Sequence, residues 1–271
     1  MKKCFTLLFI IFFMATFAVP PAFADDPEAR KIMKKADARD DGDNQVSTME
    51  MVLIDKRGNE RMRKIHTFMK DRGEDTLKLM FFQHPADVKD TSFLTYDYDD
   101  PDKDDDQWLY LPALRKTKRI ASTDKSGSFM GSDLTYSDMT SRNIEDYEYT
   151  FYEKFKEKEV NGVKTWVIWS IPRSKKVIEE TGYEKSLLFV RQDNFFVIRA
   201  LSWVRDGGYL KYMDVRNLDL IDGIWVATEM HVTKKKGRDT VHKTILKLSD
   251  VQFNQNLEYD LFTVRRMEKG L

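Results

Sequence analysis

The sequence predicts a mainly β protein: a large curled antiparallel sheet, an unclosed half-barrel, with an N-terminal helix and a short lid helix covering its concave face. Three observations carry that prediction. Only one sizeable segment, residues 27–38, repeats its apolar side chains at helical spacing, and beyond it the period changes to two. Roughly a dozen strand-like runs follow at regular spacing, parted by hairpin signals such as Asn161-Gly162, Asp206-Gly207-Gly208 and Asp222-Gly223. Many of these runs carry large side chains on both parities, as in Leu77-Lys78-Leu79-Met80-Phe81-Phe82 and Phe195-Phe196-Val197-Ile198. A sheet that long curls or splits, and a helix laid against its concave side buries one face.

The elements read in order as follows. Lys2-Lys3, an apolar run over residues 5–17 and the small-residue site Ala22-Phe23-Ala24 form a secretory signal cleaved after Ala24. The apolar run is too short for a membrane span. Cys4, the only cysteine, leaves with it, so the exported chain has no disulfide and depends on packing. Residues 25–271, about 250 in all, contain no linker rich in Pro, Gly and Ser and no internal repeat, which predicts a single domain. Asp25 or Asp26 can cap the helix, Pro27 suits its first turn, and Ala29, Ile32, Met33 and Ala36 share one face. After the polar turn 40–44, Val46, Thr48, Glu50, Val52 and Ile54 alternate with Ser47, Met49, Met51 and Leu53. Arg57-Gly58-Asn59 turns the chain and residues 61–70 return as the antiparallel partner. Strands are then expected over 76–83, 92–96, 108–111, 116–121, 147–155, 165–171, 184–191, 195–204, 210–215, 224–232 and 241–248.

Composition excludes several function classes. The 45 basic residues balance the 45 acidic ones, and removal of Lys2 and Lys3 leaves a slight acidic excess, which argues against a nucleic-acid binder. His66, His84, His231 and His242 are scattered with no zinc spacing, and no G-x-S-x-G, phosphate loop or dinucleotide fingerprint occurs. No catalytic constellation, metal site or cofactor is therefore predicted. The acidic run from Asp97 to Asp106 lacks the spacing and the closing Glu of a calcium loop. A solvated loop is the favoured reading there, with calcium or a basic partner left open. The 13 Met and 18 Phe give adaptable, bulky apolar surface, which suits an irregular cavity as well as a core.

The most informative stretch is 107–139. Trp108 and Tyr110 alternate against Leu109 and Leu111, and Arg115, Lys116, Lys118 and Arg119 form a basic strand beside them. A Gly/Ser loop then exposes Phe129-Met130 between Gly127-Ser128 and Gly131-Ser132, and residues 132–136 read as the start of a short helix. The candidates for a lipid cavity or its lid are Trp108, Tyr110, Leu111, Phe129, Met130, Leu134 and Tyr136. Gly127 and Gly131 are the hinge candidates, with Ser132, Asp133 and Asp138 as caps of the short helix. Each has a plainer reading as a packed loop anchor or local cap. Arg115, Lys116, Lys118 and Arg119 are candidates for a headgroup phosphate or an acidic partner, or simply guard an exposed edge.

Trp108, Tyr110 to Leu114, Lys116, Lys118 to Ile120, then Ser128 to Leu134, Tyr136 and Asp138, resemble the LolA-like outer-membrane lipoprotein-sorting protein family. The likeness is to its exporter-associated, divergent branch. It implies an unclosed half-barrel whose lidded concave face holds acyl chains, and a periplasmic carrier of a lipid or lipidated cargo. It also implies transient membrane contact and an inner-membrane exporter of the resistance–nodulation–division (RND) type as partner. The family's best-known carrier uses a lid arginine and lid–barrel hydrogen bonds, and no position here is matched to them. A periplasmic lipid-sensing adaptor that binds a protein partner is the alternative.

Overall fold

The computed structural model describes residues 25–271; the expected signal and its cleavage site lie outside the described residues. Helix α1 (Pro27–Asp37) is capped by Asp26, whose carboxylate accepts from the Glu28 and Ala29 amides at 2.9 and 3.2 Å. Fourteen strands follow: β1 (Asn44–Asp55), β2 (Glu60–Arg72), β3 (Asp75–His84), β4 (Ser92–Asp97), β5 (Asp106–Leu111), β6 (Lys116–Arg119), β7 (Tyr147–Phe151), β8 (Glu157–Val160), β9 (Val163–Pro172), β10 (Tyr183–Arg191), β11 (Val197–Val204), β12 (Tyr209–Ile221), β13 (Ile224–Lys236) and β14 (Asp239–Phe253). Helices α2 (Lys175–Thr181) and α3 (Val264–Lys269) interrupt and close the chain.

All strands join one antiparallel sheet in the order β6-β5-β4-β3-β2-β1-β14-β13-β12-β11-β10-β9-β7, with β8 also on β9. Consecutive strands pair from β1 to β6 and from β8 to β14, β7 pairs with β9, and at the centre β14 returns to pair with β1. The terminal strands β6 and β7 do not pair with each other, so the sheet stays unclosed as expected.

Some expectations need correction. The strand predicted over 147–155 stops at Phe151. Beyond it the Tyr152 ring packs edge-on against Phe155 at 4.8 Å and Trp169 at 5.7 Å, and β8 then rejoins β9. Helices α2 and α3 were not foreseen; each opens on a side-chain cap, Ser174 accepting from Val177 N and Thr263 from Arg266 N. The expected short lid helix is instead two separate 3₁₀ turns, Phe129–Gly131 and Ser137–Met139, parted by residues 132–136. The second face of the sheet is not simply solvated. Phe262 and Met267 of the C-terminal segment are buried on it against Leu79, Phe81 and Leu94.

Candidate functional site: a lidded amphiphilic face

Alternation splits each strand between two faces. On β3, Lys78, Met80 and Phe82 look one way and Leu77, Leu79 and Phe81 the other. The face bearing Met80 and Phe82 is covered by α1 at one side and by the loop 121–142 at the other. That loop contains the segment expected to act as a lid. Its Phe129 is fully buried, with ring centroids 5.0 Å from Phe93, 5.7 Å from Tyr136 and 6.3 Å from Phe82.

The sequence candidates fall into three groups. Leu111, Phe129, Met130, Leu134 and Tyr136 converge beneath the lid, around Met51, Ile65 and Phe93. Trp108 and Tyr110 do not join them, because β5 alternation turns them to the opposite face, against Tyr96 and Phe262. The basic residues stand apart from both. Arg115, Lys116, Lys118 and Arg119 are exposed along the edge strand β6. Lys118 already pairs with Asp124 at 3.0 Å, and Arg119 donates to Asp106 at 2.9 Å.

The hinge and capping candidates are also reassigned. Gly131 has φ +75°, the left-handed backbone that favours glycine. Gly127 has no such φ, but a Cβ there would lie 2.9 Å from the Asp124 carbonyl oxygen. Met130 itself holds φ +50°. Ser132 closes the 3₁₀ turn, its hydroxyl donating to Phe129 O at 2.7 Å. Asp133 caps no helix. Its Oδ2 accepts from the Thr244 hydroxyl at 2.8 Å and faces His242 Nδ1 at 2.7 Å, while its amide donates back to Thr244 Oγ1 at 2.9 Å. Asp138 accepts from Thr135 N at 2.9 Å, as a local cap would, and from the Tyr183 hydroxyl at 2.7 Å.

Sequence reasoning missed the polar groups by which the sheet holds the lid. Arg63 of β2 donates to the Met130 carbonyl at the lid tip. Gln107 Nε2 donates to Tyr136 O at 2.8 Å, and Lys78 Nζ to Met139 O at 3.3 Å. Lys211 Nζ donates to the Tyr183 hydroxyl at 2.9 Å and stands 3.9 Å from Asp138. Burial lowers the Lys211 ammonium pKa, with Asp138 and Asp133 pulling the other way; burial and Asp138 push the Tyr183 hydroxyl up. At the lid's base Lys125, 1% exposed, pairs with Glu180 of α2 at 2.7 Å and Asp105 at 3.8 Å. Burial and the nearby Asp97 push the Asp105 carboxyl up to about 6, against the pull of Lys125 and of the Tyr98 amide. The only signal for these residues was a polar residue at an inward parity of an otherwise apolar strand, as Lys78 is in β3.

The register lays these groups out in rows. Ser170, Ser186, Ser202, Lys211, Lys234 and His242 are successive cross-strand partners from β9 to β14. Two residues along each strand, the next row on the same face is Ile168, Leu188, Ala200, Met213, Val232 and Thr244. A polar band therefore borders an apolar one. Two clefts flank the lid. One, of about 510 Å³, opens beside residues 131–135 over Lys211, Lys234 and Tyr209. The other, of about 410 Å³, lies between the acidic β4–β5 loop and α2. Among the described residues no group of three or more His, Cys, Asp or Glu side chains is arranged to hold a metal ion, and no helix is long and apolar enough to cross a membrane.

These features define a class: an unclosed antiparallel half-barrel with a lid over an amphiphilic inner face. Residues 74–269 match a family model described as "uncharacterized protein". The chain is similar to a solved domain from Vibrio parahaemolyticus named for outer membrane lipoprotein sorting, at 31% identity, over 89% of this chain and 98% of that one, with TM-score 0.79. It is also similar to a DUF1329 family protein from Desulfovibrio piger, at 27% identity, over 90% and 99% of the two chains, with TM-score 0.80. A LolA superfamily protein from Nitrosomonas europaea shares the fold at 19% identity over 88% and 98% of the chains, with TM-score 0.65. A comparison with curated proteins finds no match. The chain belongs to the LolA-like outer-membrane lipoprotein-sorting family.

Proposed function

We propose that this chain, as a single exported domain, is a periplasmic carrier. It holds a lipid, or the acyl part of a lipidated molecule, against the lidded face and passes it towards the outer membrane. The observation that carries this reading is the lid itself. Phe129 is buried where an acyl chain would lie, while polar contacts from Arg63, Lys78, Gln107, Thr244 and Tyr183 fasten the lid around it. Neutral contacts of this kind contribute about 1 kcal/mol each net and those with a charged partner about 1.5–3 kcal/mol, and on this reading the lid lifts while the sheet stays folded. The similarity to a domain named for lipoprotein sorting supports the same reading. An RND-type exporter as partner follows from the sequence resemblance alone and belongs to this proposal. Native mass spectrometry of the chain purified from its own envelope, with lipid analysis of the extract, tests the carrier. Lipid near one per protein is expected. A clean apo mass that persists after incubation with envelope lipids would overturn carriage and leave the partner-binding adaptor.

A further inference from the structure

We propose that the lid is a pseudo-cargo and that the true cargo is an anionic amphiphile, whose oxyanion headgroup binds Lys211 and Lys234 in the cleft beside the lid tip. The inference rests on the carrier reading and deepens it. Lys211 and Lys234 are direct cross-strand partners, and Lys234 is in turn opposite His242. Like charges placed opposite one another in a sheet repel, so this arrangement calls for an anion. In the closed protein the lid supplies it. Asp138 stands 3.9 Å from Lys211 and Asp133 lies 2.7 Å from His242. Lys234 makes no ion pair among the described residues and lies 4.3 Å over the Tyr209 ring. The lid thus lays two kinds of group on the two bands. Phe129 and Met130 occupy apolar surface, and the carboxylates that follow them occupy the cationic end of the polar row. An amphiphile with a charged head and an acyl tail has the same layout. The cleft of about 510 Å³ is lined by Lys211, Lys234 and His242 together with Leu134, Val204 and Val241, so a head and the start of a tail meet matching walls.

The edge strand is the weaker choice for a headgroup. Lys118 and Arg119 are engaged by Asp124 and Asp106 and are exposed, whereas Lys211 is 8% exposed and built into the face the tail would use.

The test titrates the full exported chain with palmitoyl lysophosphatidate, palmitate, monopalmitoylglycerol and inorganic phosphate, below the micelle concentrations. The two anionic amphiphiles should bind about tenfold or more tighter than the neutral one, and phosphate alone should bind far more weakly than lysophosphatidate, since the tail is missing. Comparing palmitate with lysophosphatidate tells a carboxylate head from a phosphate head. Lys211→Gln and Lys234→Gln should each abolish that preference. Lys234 is only half-buried, so its variant keeps the test open should Lys211→Gln fail to fold, as judged by near-UV circular dichroism. Neutral and anionic amphiphiles binding equally well, or a preference that survives both variants, would overturn the anionic cargo and leave the carrier standing. Phosphate binding as tightly as lysophosphatidate would overturn it too, marking a free-anion site. Failure of every amphiphile to bind would remove the carrier reading, and this inference with it.

Discussion

Replacing Phe129 with alanine should tighten cargo binding. The ring is fully buried and touches Phe82, Phe93 and Tyr136. Deleting such a ring from a rigid core costs about 3–5 kcal/mol, of which aromatic pairing contributes roughly 0.5–1.5 kcal/mol per contact. Here the ring belongs to the lid, so the loss falls on the closed state and spares the open one. Taking the lower bound of about 3 kcal/mol, the equilibrium between closed and open moves about a hundredfold towards open. Apparent affinity scales with the fraction of binding-competent protein, so Kd for monopalmitoylglycerol should fall, by up to about a hundredfold. The assay pairs that titration with urea denaturation and with amide exchange at Ser132 and Leu134, which should quicken. A loss of about 3 kcal/mol in global stability, with binding unchanged or weaker, would refute the reasoning: Phe129 would then be an ordinary core residue.

Arg63→Met removes the clamp on the Met130 carbonyl, and exchange at the Gly131 and Ser132 amides should accelerate by about tenfold; unchanged exchange would mean the contact does not restrain the lid. The raised Asp105 carboxyl makes the folded state hold a proton that the unfolded state releases near pH 4, so its contribution falls as pH rises from about 4 to about 6 and is level above. Asp105→Asn should flatten that slope in denaturation midpoints taken across this range, and add about 1–2 kcal/mol at pH 7 once the lost pairing with Lys125 is offset; a slope as steep as the wild type's would contradict the assignment. Arg115→Ser with Lys116→Ser should leave binding of anionic amphiphiles within about twofold, because both lie on the exposed edge; a tenfold loss would return the headgroup to β6. Met267→Ala, on the opposite face, should lower stability by about 2–5 kcal/mol without altering cargo affinity, and a change in affinity would couple the two faces.

The sheet was legible because its grammar is local. Period-two alternation and glycine turns mark each strand wherever it later packs, and nearly every expected run appears within a few residues of its place. Large side chains on both parities pointed to a long, curled sheet with one buried face, and the second packed face, with Leu79 and Phe81 under Phe262 and Met267, went unread. The misses have physical causes. Ser174 and Thr263 are side-chain caps and Gly182 and Gly270 stops, so α2 and α3 were readable, but seven- and six-residue helices carry too few apolar repeats to compete with strand periodicity. Asp133 looked like a cap because it follows Ser132 in a polar run. Its real partners, His242 and Thr244, lie more than a hundred residues away in sequence, and only the closing of β14 onto β1 brings them near. Arg63 and Met130, and Lys211 and Asp138, also come from separate parts of the chain and meet only in the folded sheet. Lid residues were visible in the chain; what they bind was set by sheet register, which the sequence does not write in one place.

The closed lid also answers an energetic difficulty of carriage. Burying an acyl chain contributes about 0.8 kcal/mol per CH₂, so some sixteen carbons would bind with a gross gain on the order of 12 kcal/mol. A preformed, fully apolar slot would keep such a cargo. On the carrier reading, the apolar band and most of the polar row have a competing occupant in the closed protein. On that reading Phe129 and Met130 leave the apolar band, and Asp133 and Asp138 leave His242 and Tyr183, when cargo enters. Those lost contacts are subtracted from the affinity and recovered on release, when the lid returns. The competition is not perfectly matched. Thr67, Thr95 and Gln107, on the strands beneath the lid, each keep one buried polar atom without a protein partner; if lid opening lets water reach them, closure costs correspondingly more. For the proposed carrier, a lid that fits the slot slightly less well than cargo would yield to cargo and still help expel it to a better acceptor.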